Sequence, residues 1–235
     1  MTPPEHAESS RHDAPQRSAT SFVPDPRRSI FYRIFRGLLR FLLRIMFRPI
    51  LEGPGVIPAE GPVIIAPVHR SNIDFSLAIL LTDRKMFFIA KDSLWKASIF
   101  GRFVEAMGAF PVNRGTADRT ALNHAEAVLA SGNALVLFPE GTRQEGPLVA
   151  DILEGAAFLS ARTGAPIVPV GIGGSARAMP KGAKFPRPTR IRLYLGEPIA
   201  SPVRTDGGRV PRSAIHETTL ALRLQIQECF DRASA

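Results

Sequence analysis

The sequence predicts an α/β fold: a single domain with a central mixed, partly parallel sheet flanked by helices, preceded by an N-terminal amphipathic helix. Three observations predict it. From residue 61 onward short apolar runs alternate with longer stretches of helical character, the pattern of strands joined by crossover helices. At 235 residues and 45% apolar the chain can bury one substantial core, and nothing in it demands two. Upstream of the alternating region, arginines recur at helical spacing.

Taken in order, residues 1–28 are rich in Pro, Ser and charge with Phe22 as their one aromatic, so they cannot bury enough apolar surface to offset their ordering entropy and read as a disordered tail. No signal peptide with a small-residue cleavage site is apparent, so export is not indicated. Residues 29–51 follow as a helix. Arg33, Arg36, Arg40, Arg44 and Arg48 share one face of it, beside a wide apolar arc that includes Phe31, Phe35, Leu38, Leu39, Leu42 and Met46, and Pro49 ends it. These five arginines, unopposed by any acid in the segment, account for more than half of the formal net charge of +9. A generally nucleic-acid-binding surface is therefore not expected. An arginine near the bilayer centre costs about 2.5–3.5 kcal/mol, which disfavours a membrane span. Lying in the interface, with basic groups near anionic headgroups, is physically easier. The competing reading is a helix that caps the protein's own core and leaves its arginines in water.

The strands are expected within "PVIIAPV", "KMFFIA", "GAFPV", "ALVLFP", "APIVPVGI" and "TRIRLYLGEPI", and the helices over 74–82, 93–107, 116–131, 153–163 and 213–233. Cys229 is the single cysteine, so no internal disulfide can form, and its neighbours Leu224, Ile226 and Phe230 suggest packing rather than reactivity.

The chemistry gathers in loops that follow these strands. "VHRSNIDF" delivers His69 to the carboxyl edge of the sheet, where open α/β sheets bind ligands, with Ser71 or Asn72 as a helix cap and Asp74 in the first turn. The bend between strand and helix would let Asp74 accept a hydrogen bond from one imidazole nitrogen while the other acts as a base. No G-x-S-x-G turn offers a protein nucleophile, so the nucleophile is read as a substrate hydroxyl. Metal ligation is poorly supported: H-E-x-x-H is absent, and the histidines at 6, 12, 124 and 216 lack clustered acids. "FPEGTR" places Glu140, Gly141, Thr142 and Arg143 in one short loop suited to a phosphate or carboxylate, and "GAFPVNRG" puts Arg114 just past another strand.

Together "HRSNID", "GAFPVNR", "FPEGTR" and "APIVPVGI", in this order, resemble the four blocks of the glycerolipid acyltransferases typified by lysophosphatidic acid acyltransferases. The resemblance covers roughly residues 50–200 and makes 52–235 the expected acyltransferase domain. It implies an enzyme that moves a fatty acyl group from acyl-CoA or acyl carrier protein, with no resident cofactor, to a lysophospholipid hydroxyl, most simply 1-acylglycerol-3-phosphate to give phosphatidic acid. On that reading His69 is the general base, Asp74 orients it, and Arg114, Glu140, Gly141, Thr142 and Arg143 position the phosphorylated acceptor. It further implies a peripheral or monotopic protein at the cytoplasmic face of the cell membrane, in contact with the phospholipid surface. Many relatives carry an F-K-x-G block soon after the third motif; here "ILEG" puts Leu153 where the lysine would be, which leaves a different glycerolipid or glycolipid acceptor open. Two further readings compete with acyl transfer: a lipid or thioester hydrolase using the same His–Asp pair, and a non-catalytic membrane-binding module. The acid-free run bearing Arg177, Lys181, Lys184, Arg187, Arg190 and Arg192 could supply the missing cation, dock an acidic carrier protein, or form a solvated or headgroup-contacting loop.

Overall fold

A computed structural model describes residues 26–91, 108–112, 119–203 and 209–235. The expected helix over 93–107, Arg114 and almost all of the expected tail lie outside the described residues.

Seven strands form one sheet: β1 (Ile50–Glu52), β2 (Val63–Pro67), β3 (Met86–Lys91), β4 (Ala109–Val112), β5 (Ala134–Val136), β6 (Ile167–Gly173) and β7 (Arg192–Leu195), in the order β1-β7-β6-β2-β5-β3-β4. Strands β2 to β6 run parallel, β7 pairs antiparallel with β6, and β1 lies parallel to β7. The sheet is thus mixed and mostly parallel. β2 and β6 are buried along their whole length, which is why they read as continuous apolar runs rather than as alternating ones. β1 had no sequence signal. It is three residues long and mostly exposed, held at the edge by its pairing with β7.

Among the described residues the helices are α1 (Pro26–Phe47), α2 (Asp74–Leu77) with a 3₁₀ turn over Ala78–Leu80, α3 (Arg119–Ala130), α4 (Gly155–Thr163), α5 (Ser175–Ala178) and α6 (Arg212–Ser234). α6 makes the most extensive packing, across β6 and β7. Its backbone comes so close to β6 that a Cβ on Gly171 would sit 2.0 Å from the Cys229 carbonyl oxygen, and one on Gly173 would sit 1.9 Å from that of Ala233. Only glycine allows that approach.

Cys229 is sealed at this contact, and burial pushes its thiol up to about 12. The unfolded chain would lose that proton near the ordinary thiol value, so stability from this group falls as pH rises from about 9 toward 12. Native protein should accordingly react with iodoacetamide only on unfolding, which mass-shift labelling with and without denaturant would check.

α1 departs from expectation in an informative way. Leu43 and Phe47 are buried in the core, and so is Arg36, from the middle of the arginine face. Arg36 donates to the main-chain carbonyls of Thr82 and Asp83, and Arg40 pairs with the Asp83 carboxylate. The middle of the basic face therefore clamps the helix to the segment after α2 rather than facing water. The exposed side carries an apolar stripe beside the exposed Arg33 and Arg44: Ile30, Ile34, Leu38, Phe41 and Ile45 fall within roughly 80° of one another at 3.6 residues per turn, with Leu42 alongside. Among the described residues no helix is long and apolar enough to cross a membrane.

Candidate active site

β2 and β5 are parallel neighbours, so their following loops emerge side by side at the carboxyl edge of the sheet. This brings the first and third motifs together. His69 Nδ1 lies 3.0 Å from Asp74 Oδ2, and the strand-to-helix bend between them supplies the geometry. Asp74 is fully buried, and the same Oδ2 also accepts the main-chain N–H groups of Arg70 and Ser71, each at 2.6 Å. One carboxylate oxygen thus holds both the turn and the ring. The cap differs from expectation: α2 has no side-chain cap, Asn72 is exposed, and the Ser71 hydroxyl donates instead to the Met179 carbonyl at 2.7 Å. Asp74 does the capping work in reverse, by reaching back to the amides that precede it.

With Nδ1 committed to Asp74, the imidazole has Nε2 left over, and the bond to Asp74 is the ring's one hydrogen bond among the described residues. The ring lies against Phe138, centroids 4.3 Å apart, with 11% of the side chain exposed. An imidazole oriented by a carboxylate, with its second nitrogen left open, is the arrangement a general base requires.

The "FPEGTR" loop clasps the same histidine from the other side. Glu140 Oε2 accepts the His69 N–H at 2.8 Å, and the Gln144 N–H donates to the His69 carbonyl at 2.9 Å. Glu140 is itself buried and takes a bidentate contact from Arg70 Nη1, at 2.8 and 2.9 Å. Arg70 also donates to the Leu148 carbonyl and lies 4.8 Å from the Phe230 ring of α6. The Glu140 carboxylate is therefore occupied inside the protein. Whatever it contributes to acceptor binding comes through the loop it braces. Thr142 and Arg143 are exposed, and Arg143 has no ion-pair partner among the described residues. Gly141 adopts φ 69°, and a Cβ there would meet Leu153 Cδ1 at 2.9 Å, so the close approach that glycine permits is to the leucine at the variant position. Arg70 was missed by sequence reasoning. An arginine in a loop reads as solvated, and only its place between the histidine and a distant glutamate shows otherwise.

A family model described as Acyltransferase matches residues 48–173, a stretch that contains His69, Arg70, Asp74 and the 138–143 loop. The chain belongs to the acyltransferase family.

Relatives agree with that placement. This acyltransferase is 32% identical over 146 residues to the 1-acyl-sn-glycerol-3-phosphate acyltransferase of Streptococcus pneumoniae (strain ATCC BAA-255 / R6), covering 60% of this chain and 53% of that protein. It is 25% identical over 174 residues to the enzyme of the same name from Bacillus subtilis (strain 168), covering 73% and 83% respectively. It is also 26% identical over 180 residues to the chloroplastic LPAT1 of Arabidopsis thaliana, covering 74% of this chain and 50% of that one. The acyltransferase thus spans about half the length of the plastid relatives it matches. The crystal structure of the 1-acyl-sn-glycerophosphate (LPA) acyltransferase PlsC from Thermotoga maritima superposes with a TM-score of 0.69 at 20% identity, over 91% of this chain and 85% of that one, which is a likeness of fold.

Proposed function

We propose that this acyltransferase moves a fatty acyl group from a thioester, on coenzyme A or acyl carrier protein, to the free hydroxyl of a lysophospholipid, with 1-acylglycerol-3-phosphate as acceptor and phosphatidic acid as product. The observation that carries the reading is the His69–Asp74 pair at the sheet edge, with Nε2 unpartnered among the described residues. Nε2 takes the hydroxyl proton as the oxygen attacks the thioester carbonyl. The carbon–sulfur bond then breaks, and the departing thiolate takes the proton back from the imidazolium. Buried Asp74 stabilises that imidazolium in between. Thr142, Arg143 and the backbone around Gly141 hold the acceptor phosphate, with Arg114 as a further cation. The relatives named for 1-acyl-sn-glycerol-3-phosphate support this choice of acceptor.

The catalytic unit on this reading is 52–235, with 29–51 as a membrane-associating helix and 1–28 as a tail. The exposed apolar stripe of α1 rests in the interface at the cytoplasmic face, because five or six large side chains left in water on one helix face exceed what a lone surface hydrophobe requires. Replacing Leu38 and Phe41 by Ser should therefore release the protein from phosphatidylcholine vesicles in a flotation assay, while detergent-dispersed acceptor is still turned over.

The acceptor is tested directly by offering purified protein a panel of lysolipids with each kind of thioester and weighing the products. Phosphatidic acid from lysophosphatidic acid at the highest kcat/KM supports the reading. Preference for an acceptor without a phosphate monoester would overturn the choice of acceptor and leave the transfer chemistry standing.

A further inference from the structure

From Ser175 to Gly196 the chain carries Arg177, Lys181, Lys184, Arg187, Arg190 and Arg192 and no acid. All but Arg192 are exposed. Lys181 pairs with Glu145 at 3.1 Å, and among the described residues the other five have no carboxylate partner. Phe185, in the middle of this run, is 80% exposed. Arg177, Arg190 and Arg192 converge on a cavity of about 200 Å³ next to Gly173 and the end of α6. The C-terminal end of a helix carries roughly half a negative charge, which one cation would more than balance, and three are present.

The placement of this loop says what the surplus faces. At one end Ile191 donates to the Phe47 carbonyl, which closes α1, and accepts from the Ile50 N–H, both at 3.0 Å. At the other end the Met179 carbonyl takes the Ser71 hydroxyl of the catalytic turn. The loop therefore bridges the helix with the exposed apolar stripe and the turn that carries His69.

We infer that the 177–192 loop is a second membrane contact that binds anionic phospholipid headgroups, with the Arg177–Arg190–Arg192 cavity receiving a phosphate that no headgroup ammonium offsets and Phe185 entering the interface. Guanidinium groups suit phosphate oxygens, and an apolar phenyl ring among cations can bury itself at the boundary between headgroups and acyl chains. A basic group close to an anionic leaflet strengthens binding by about fivefold. This inference rests on the reading of α1 as membrane-facing, but the two can fail separately.

The test is flotation of the full chain with vesicles of phosphatidylcholine alone and of phosphatidylcholine mixed with phosphatidylglycerol, at low and high salt. The variant R187Q/R190Q/R192Q should bind the mixed vesicles about tenfold to a hundredfold more weakly than the unsubstituted protein at low salt. It should bind neutral vesicles equally well, and raising the salt should erase the difference. F185S should weaken binding to both compositions by a smaller factor. The α1 variants L38S and F41S should lose binding to both, so unchanged binding in those would refute the role of α1 alone. An arginine variant that binds mixed vesicles as the unsubstituted protein does, while its melting temperature and detergent-phase turnover are intact, overturns the inference. So does one that loses both compositions equally. If the arginine variant unfolds, K184Q/R187Q, away from the cavity, gives the same reading with two charges.

Discussion

Replacing His69 by Ala should lower kcat by about 10²- to 10⁴-fold, the usual contribution of a positioned general base, while the melting temperature and vesicle binding stay close to those of the unsubstituted protein. The ring makes one side-chain hydrogen bond and one aromatic contact, so little folding energy is at stake. Asp74 should behave differently. Its Oδ2 accepts three donors, the imidazole and two main-chain amides, whereas Oδ1 is buried without a hydrogen-bond partner among the described residues. In Asp74→Asn the two amides fix the side-chain oxygen at the Oδ2 position, so the imidazole keeps its tautomer and only the negative charge is lost. A hydrogen bond to a charged group is worth about 1.5–3 kcal/mol, so the loss should be about 10- to 100-fold in kcat, smaller than for the histidine. Asp74→Ala removes the acceptor from all three donors and should cost both turnover and stability. Steady-state kinetics and thermal melts on the three variants would check this order. If Asp74→Asn were as inactive as His69→Ala, the oxygen would not be pinned as described.

The second large effect belongs to the Arg70–Glu140 pair. Their side chains are 2% and 0% exposed, so removing either leaves a buried charge without its counter-charge. Glu140→Ala should destabilise the fold by about 3–5 kcal/mol. For a chain of this size that lowers Tm by about 6–20 °C. The exposed Arg162–Glu126 pair, bidentate at 2.9–3.2 Å, should contribute at most about 1 kcal/mol. Replacing both buried partners, as in R70M/E140M, should restore most of the lost stability, because two apolar groups need no counter-charge. Activity should not return with it. The Glu140 carboxylate also takes the His69 N–H, and without it the backbone beneath the His69 ring loses its anchor. A double variant that is both stable and fully active would show that the pair serves folding alone.

The legible parts of this molecule are those where one local property decides the outcome. β2 and β6 are buried throughout, so their apolar runs were unmistakable, and Gly164 in the left-handed conformation closes α4 where the helical pattern stops. His69 and Asp74 could be paired because the bend they need falls where a strand must turn into a helix. What stayed hidden depends on distant partners. Periodicity showed that the arginines of α1 share a face, but not that Arg36 and Arg40 would find Thr82 and Asp83, more than forty residues away. The family resemblance implied that Glu140 helps position the acceptor, and nothing local shows its carboxylate turned inward. Its partner is Arg70, 70 residues distant, and no local pattern links the two. β1 has no apolar run to betray it, and only its neighbour β7 gives it a place.

Whether the His69–Asp74 pair activates an alcohol rather than water decides what the enzyme makes. The most direct measurement follows the acyl carbon of a labelled thioester in the presence of lysophosphatidic acid on vesicles, for the native protein and the His69→Ala variant, with products separated by mass. The label is expected in a new ester of the acceptor, dependent on His69, with free fatty acid as a minor product. Label found in free fatty acid alone, or ester formed at the same rate without the histidine, would contradict it.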